Sequence, residues 1–587
     1  MSGSCSKACY RVICVMSLSL AFSSFNTEAR SRSCQNFFSD IQLIARQLQP
    51  ESISLQLSDH SQREVLVNNK EVGTILRKAG GLNVQSFRAI KAFQSRLGTF
   101  DINVQDNGMV VAAAIDRSRG GYARAVWIRD LARVFEGFIA LGRRKEAKLV
   151  ALAMLDAMSS PEQLARLYDN IRDPGLHFKP EANTRLPHIR VDADNSGPVY
   201  LELPDGRRIE ELWNHKQNDA LALSMLVTYR AFEENLLNVR DLKPAHWQYL
   251  VGLPIFFKKL CFWWMHDSGA WEEWEARRTS SIGLVTKVFE LYGQGFEKSD
   301  SKLETELREF LGNLRIAGTY LPEDLLESAK ETWSQEVFAK LIDHGYQALF
   351  EQLPQGEAPL NYTDKGGQRF EDAALAHLFW YPLDRLEEKD YLQIFSHLNK
   401  LIQPAGIPRY RDDVYMAGLY YFQLQGSDGR VPEEFLPNGH SLTRHQLWEL
   451  YNPRQPHRLA ELFGHNLEPQ WAIADPIMAK ANIMMWKKFS KQEYQALAEW
   501  HLLRSWGMLT AQDANARGPL AADGELLPAG VMPESMIPIW VKFSDSKEKQ
   551  LIYLPSKNTP LNWVSSELAI VQREFESLEG RLVGITK

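Results

Sequence analysis

The chain is expected to be all-α: a closed ring of paired helices with long loops gathered at one end. Three observations predict this. Apolar residues recur at helical spacing from about residue 84 onward. Alternating, strand-like patterns are few. Long polar loops separate the helical stretches, and loops of that length inside a compact domain usually carry function. A ring with its loops at one end accommodates them better than a bundle.

Residues 127–141 place Leu131, Val134, Phe135, Phe138 and Ile139 at helical spacing. Residues 161–171 follow, with Ser160 as N-cap and Pro161 at the first helical position. A polar loop over 172–208 is punctuated by Pro and Gly. Within it, 198–207 reads as a hairpin around Asp205-Gly206. Residues 219–232 are strongly apolar on one side. The series continues at 280–292, 304–316, 333–349, 371–380 and 391–401. It ends with 476–489, 491–509 and 563–578. Residues 30–83 are polar and mixed and predict a short helical lead-in.

A chain of 587 residues can bury a large core. Its 44% hydrophobic and 24% charged content are ordinary for a globular protein. A net charge of -6 without any Lys/Arg-rich run argues against nucleic-acid binding. At the N-terminus, Lys7 and Arg11 precede an apolar stretch over 12–22. Thr27-Glu28-Ala29 offers small residues at a cleavage site. This pattern predicts a cleaved signal at 1–29, a lead-in at 30–83 and the helical domain at 84–587. The product would be secreted or periplasmic. Cys5, Cys9 and Cys14 would leave with the signal, and Cys34 and Cys261 would remain. Their pairing is not determined by sequence, and no metal-ligand spacing occurs. No later segment offers 18 uncharged apolar residues, so no membrane span is expected in the mature form. No cofactor is called for.

The densest chemistry lies in Trp271-Glu272-Glu273-Trp274-Glu275: three carboxylates and two indoles in five positions. An indole offers a flat apolar face to a sugar ring, and a glutamate can give or take a proton. Such a cluster by itself also suits an amphipathic surface. Five other loops carry comparable groups. They hold Tyr122 to Asp130 and Trp213 to Asp219, then Gly406 to Tyr410 with Asp413 and Tyr415, then Gly530 to Glu534 and Pro560 to Trp563. Taken singly, each reads as a helix-terminal charge pair or cap.

Taken in order, the six resemble glycoside hydrolase family 15, the group of glucoamylases, glucodextranases, some trehalases and the related domain of phosphorylase kinase regulatory subunits. The matching elements are Trp127-x-Arg129-Asp130, Gln217-x-Asp219-Ala220, Gly269-x-Trp271-Glu272, Arg409-Tyr410-x-x-Asp413-x-Tyr415, Pro533-Glu534 and Pro560-Leu561-x-Trp563. They span about 84–580. The resemblance implies an (α/α)6 toroid acting on an oligo- or polysaccharide. It makes Glu272 the general acid and Glu534 the general base. Arg129 and Asp130 would bind the terminal sugar, with Gln217, Asp219 and Trp271 lining the pocket. Glu273 matches a second, substrate-binding glutamate, and Trp127, Arg409 and Tyr410 complete the substrate set. The segment 279–291 is similar to the phosphorylase-kinase branch, so a non-catalytic glycan-binding or regulatory protein is the alternative.

Inverting glycoside hydrolysis needs one protonated carboxyl at the leaving oxygen and one ionised carboxylate handling water. Glu272 is therefore expected half-buried against Trp271 and Trp274, with its pKa raised. Glu273 and Glu275 would raise it further if they pointed inward. Glu534 is expected in a more polar setting. Its context, Glu534-Ser535-Met536, departs from the Glu-Gln-Tyr/Phe common in glucoamylases. That departure, with insertions around 300–335 and 425–460, bears on substrate choice.

Overall fold

The computed structural model of the protein describes residues 50–114, 121–178, 185–202, 207–211, 213–296, 305–359, 369–413, 415, 430–431, 442–443, 467–512, 518–519, 521, 526–542 and 548–578. The expected signal, Cys34 and most of 425–460 lie outside these residues.

The lead-in is not helical at its start. β1 (Glu51–Gln56) and β2 (Gln62–Val67) form an antiparallel hairpin. Ile53, Leu55, Val65 and Val67 alternate inward while Ser52, Ser54 and Glu64 face out, and that period of two selects strand. Then α1 (Lys70–Ala79) is capped by Asn69 and closed by Gly80 in the left-handed region. α2 (Val84–Leu97) opens on an Asn83/Ser86 capping box and closes on Gly98.

The chain continues through β3 (Ala125–Trp127), α3 (Ile128–Ala140), α4 (Arg144–Met158) and α5 (Pro161–Arg172). Ser160 caps α5 with Pro161 at its first position, as expected. β4 (Arg190–Asp192) pairs with β3. β5 (Tyr200–Glu202) and β6 (Arg208–Glu210) pair antiparallel as the expected hairpin would, and its turn at Asp205-Gly206 lies outside the described residues. Next are α6 (Asn218–Glu233), α7 (Pro244–Lys259), α8 (Thr279–Gly293), α9 (Thr305–Ile316), α10 (Leu326–Thr332) and α11 (Gln335–Gln352). The stretch expected as a helix over 371–380 is a 3-10 helix, Ala373–Phe379. α12 (Glu388–Asn399) precedes two short paired strands, β7 (Arg430–Val431) and β8 (Leu442–Thr443). β9 (Gln470–Trp471), α13 (Ala474–Phe489), α14 (Gln492–Gly507), β10 (Ser535–Lys542), β11 (Lys549–Pro555) and α15 (Asn562–Glu576) complete the order.

Packing closes a ring. α3 packs on α6, α6 on α8, and α8 on the 3-10 helix. The 3-10 helix packs on α13, α13 on α15, and α15 back on α3. Outside them, α4 covers α3 and α6, α11 covers α8, α12 the 3-10 helix, and α14 α13. α7 is pinned to α6 by the Tyr249–Ser224 hydroxyl pair at 2.7 Å. α2 is pinned to α15 by Gln572 donating to Gln94 at 2.9 Å. Six inner and six outer members make an (α/α)6 toroid. The inner helices are buried nearly all round, as an interior ring demands. The lead-in hairpin docks on α14, where Trp500 Nε1 donates to the Glu64 carbonyl at 3.2 Å.

Three strands, β9-β10-β11, form a sheet that the sequence pattern does not announce. β10 is buried on both faces and holds Pro538, so it shows neither alternation nor an uninterrupted strand composition.

The ring helices begin at one mouth, and loops cap most of them there. α3, α6, α8, α13 and α15 have no side-chain cap from their own N-cap residues. Instead Ile128 N donates to Ile189 O at 2.9 Å and Asn218 N to Asp267 Oδ2 at 2.9 Å. Thr279 N donates to Glu357 O and Asn562 N to Ala112 O, both at 2.9 Å. The free N–H groups of the ring thus hold the long loops down over it. The positive ends of the helix dipoles face the same mouth.

Candidate active site

The loop after α7 makes a short 3-10 turn, Gly269–Trp271, and delivers Glu272 in the left-handed region at φ 61°. A non-glycine residue there stores strain, a feature that concentrates at working sites. Trp127 Nε1 donates to Glu272 Oε2 at 3.1 Å, and Arg129 Nη1 stands 3.5 Å from Oε1. Oε1 is buried without a hydrogen-bond partner. Burial raises the Glu272 pKa, against the opposing pull of Arg129 and the Trp127 N–H.

The indole against this carboxyl is Trp127, not Trp271 or Trp274. Trp271 is buried deeper, donating from Nε1 to Asp372 at 2.6 Å with its ring beside His377 and Trp471. Trp274 lies against the Arg369 guanidinium, 4.4 Å from ring centre. The neighbouring glutamates are each held by other partners. Glu275 pairs with Lys216 at 2.8 Å. Glu273 is held by Arg369, by Arg409 at 2.8 Å and by the Tyr410 hydroxyl at 2.8 Å. Burial pushes Glu273 upward, but the two guanidiniums overcome it and hold the carboxyl below its ordinary range.

Glu534 ends the loop into β10, its carbonyl accepting from Ala472 N at 3.1 Å. Its carboxyl is fully buried. Asn558 donates to Oε2 at 2.9 Å and Ser556 at 3.2 Å, and the Tyr122 hydroxyl favours the ionised carboxyl as well. Oε1 has no hydrogen-bond partner. Burial raises the pKa to about 7, more than these donors take back. The more polar setting expected for Glu534 is therefore not what the fold provides. The donors are present, but water is excluded.

Arg129 is the hub between these groups. It forks onto Asp219 at 2.7 and 3.1 Å, donates to Gln217 Oε1 at 2.7 Å and reaches the Gly269 carbonyl at 3.2 Å. Asp219 is fully buried and acts on Arg129 rather than on open space. Gln217 also favours the ionised form of Glu272. Asp130, next to it, is pushed up to about 8 by burial, against the pull of Arg129, with Glu272 and Glu534 adding to the rise. Arg409 forks onto Asp413, both contacts at 2.7 Å. Tyr122, Asp130 and Tyr415 each interact electrostatically with both Glu272 and Glu534. The structure thus gathers Glu272, Glu534, Trp127, Arg129, Asp130 and Gln217 together. Glu273, Arg409 and Tyr410 form an adjoining cluster, while Trp271 and Asp219 support from beneath.

Sequence reasoning gives no role to Tyr122, which lies 2.9 Å hydroxyl to hydroxyl from Tyr415, or to Asn558 and Arg369. Tyr122 and Tyr415 belong to the motif-bearing loops. Asn558 and Arg369 sit in loops with no motif, and only the fold brings them in. Among the described residues no group of three or more His, Cys, Asp or Glu is placed to hold a metal ion.

A stability consequence follows from Glu534. Its folded pKa of about 7 lies above the ordinary 4.5, so the folded protein takes up a proton. That contribution is full below about pH 4.5 and is lost as pH rises through 7. Glu534→Gln cannot ionise. It is expected to match the wild type in urea stability near pH 4 and to exceed it by ~3 kcal/mol at pH 8. Parallel urea titrations at the two pH values check this, and a variant no more stable at pH 8 than the wild type would contradict it.

The protein is thus a helical toroid carrying two buried carboxyls and an arginine hub in its loop-bearing mouth. Residues 92–293 match the family model of glycosyl hydrolases family 15. The matched segment holds Trp127, Arg129, Asp130, Gln217, Asp219, Trp271 and Glu272; Arg409, Tyr410 and Glu534 lie beyond it. The chain is also 34% identical over 149 residues to the uncharacterized lipoprotein YgeQ of Escherichia coli strain K12. That alignment covers 24% of this chain and 54% of YgeQ, so the chain spans about half the length of that curated relative. Among solved structures, a glucoamylase from Saccharomycopsis fibuligera aligns over 89% of this chain and 98% of its own at 13% identity, TM-score 0.41. A wild-type glycosidase aligns over 86% and 98% at 12% identity, TM-score 0.45.

Proposed function

We propose that the protein is an exported, inverting α-glycosidase acting on α-glucosides, with Glu272 as general acid and Glu534 as general base. The carrying observation is that each glutamate keeps one buried oxygen without a hydrogen-bond partner, while Tyr122, Asp130 and Tyr415 sense both carboxyls. Two unspent carboxyl oxygens are what proton delivery to a leaving oxygen and proton removal from a water require.

In this reading the Glu272 carboxyl protonates the glycosidic oxygen as the bond to the anomeric carbon breaks. Glu534 takes a proton from a water that attacks the opposite face, and the product has inverted configuration. Arg129 and Asp130 hold the terminal sugar. Glu273, kept ionised by Arg369 and Arg409, accepts hydrogen bonds from the next unit. The signal at 1–29, the lead-in at 30–83 and the toroid at 84–587 belong to the same proposal. Among the described residues no helix is long and apolar enough to cross a membrane.

The direct test is a panel of α-1,4, α-1,6 and α,α-1,1 glucosides, with product anomer followed by NMR. Hydrolysis with inversion supports the reading. Retention overturns the mechanism, and binding of maltooligosaccharides without cleavage of any panel member moves the assignment to the regulatory alternative.

A pH prediction follows from Tyr122. A base must be ionised, so kcat/KM should rise with pH through the Glu534 pKa, placing the acidic limb near 7. Tyr122→Phe removes a donor that favours the ionised form. The limb is expected to move up by roughly 1 to 2 pH units, the worth of a hydrogen bond to a charged group. A limb that stays in place or moves down in pH–rate profiles counts against Glu534 as the base.

A further inference from the structure

The toroid has a second mouth. Where the ring helices end, a cavity of about 340 Å³ lies between α3, α6, α8, α13, α15 and the turn after the 3-10 helix. Both carboxyls of the proposed hydrolase site are at the opposite mouth, where the same helices begin. The size falls at the small end of ligand pockets.

The charges lining this cavity are nearly all spent. Glu136 accepts from the Tyr381 hydroxyl at 2.6 Å, Glu233 pairs with Arg230, and Glu574 pairs with Lys487 at 2.6 Å. Among the cations, Arg230 also meets Glu234 at 2.7 Å and Lys287 meets Asp384 at 2.7 Å. Arg573 reaches Glu576 at 3.5 Å. Lys480 differs. Its Nζ donates to the Trp380 carbonyl at 3.2 Å, and among the described residues no carboxylate lies within ion-pair distance of it. Trp380, which lines the same cavity, has a buried Nε1 without an acceptor. Lys480 Nζ, with N–H groups beyond that one bond, and Trp380 Nε1 are therefore both short of an acceptor. The remaining wall is largely apolar, from Ile139, Leu291, Pro382 and Ile570.

We propose that this distal cavity binds a small monocarboxylate with an apolar body, its carboxylate on Lys480 and Trp380 and its body against the apolar wall. Lys480 stands six residues into α13, about 9 Å from the helix start and well inside the mouth. The carbonyl ends of the ring helices disfavour an anion at the rim, so the charge belongs deep and the apolar body outward. Burial, then Arg133, pushes the Lys480 pKa down against Glu136, Glu567 and Glu574, and a bound carboxylate would favour its ammonium form. The proposal does not depend on the hydrolase reading.

The test is calorimetric titration of the full chain with benzoate, with benzyl alcohol as the uncharged probe. Saturable benzoate binding is expected, roughly tenfold or more tighter than benzyl alcohol. Lys480→Met should weaken benzoate by the same factor, Lys480→Arg should retain it, and Glu272→Gln should leave it unchanged. Benzoate should also raise the melting temperature of the wild type and not of Lys480→Met, a comparison that separates lost binding from lost folding. Absence of saturable binding, equal affinity for the two probes, or undiminished benzoate affinity in Lys480→Met overturns the proposal.

Discussion

Glu272→Gln and Glu534→Gln are each expected to lower kcat on α-glucosides by roughly 10²–10⁴, the usual share of general acid–base catalysis. Glutamine keeps the shape and most hydrogen bonds of each site. Trp127 Nε1 can still donate to the amide oxygen at 272, and Asn558 and Ser556 to that at 534. What disappears is the proton that Glu272 delivers and the lone pair with which Glu534 receives one. Substrate binding should survive, because Arg129 remains fixed by Asp219 and Gln217. Glu275→Gln is the control: that side chain pairs with Lys216 outside the cluster and should change kcat little. Steady-state kinetics with binding measured separately decide the matter. Undiminished turnover in Glu272→Gln refutes the acid assignment.

Arg133→Met is expected to destabilise the protein by ~3–5 kcal/mol, the cost of leaving a buried charge without its partner. Arg133 and Glu567 are each about 1% exposed and form a forked pair, 2.6 and 3.2 Å, between α3 and α15. After the substitution Glu567 keeps only Trp563 Nε1 at 3.2 Å. The Arg133 guanidinium also lies 4.7 Å over the Trp380 ring, and methionine cannot replace that cation–π attraction. Replacing both residues, Arg133→Met with Glu567→Leu, removes the orphaned charge and should restore most of the stability. Urea unfolding of the two single variants and the double variant gives the coupling. Additive losses would mean the pair is not what closes the ring.

The sequence speaks most clearly where one period dominates. α3, α5, α6, α8 and α13 carry apolar residues or caps at helical spacing, and their ranges agree with the pattern within a residue or two. α7 escapes the pattern because Pro254 interrupts it, although Pro244 at its start is pre-set for a helix. The β1–β2 hairpin is masked by its polar face, and β10 by Pro538 and two-sided burial. For the proposed site, motif order singles out Glu272, Arg129 and Glu534. It cannot reveal their surroundings, which come from elsewhere in the chain. The indole on Glu272 lies 145 residues away, and the Glu534 donors Asn558 and Tyr122 belong to separate loops. Local spacing says nothing about water exclusion, so the raised Glu534 pKa is not legible in it.

The pair that closes the ring joins residues 434 positions apart. At synthesis rates of about 5–20 residues per second, roughly 20–90 s separate the emergence of Arg133 from that of Glu567. During that interval the side of α3 that meets α15 has no final partner. Long-range closure is also intrinsically slow, because a long loop must be ordered before its contacts form. The ring is therefore a structure finished last at its seam. A chain held unfolded until it is complete, as export through a membrane pore requires, loses little by waiting. Truncation before α15 would leave five inner members facing an open gap rather than a slightly smaller toroid.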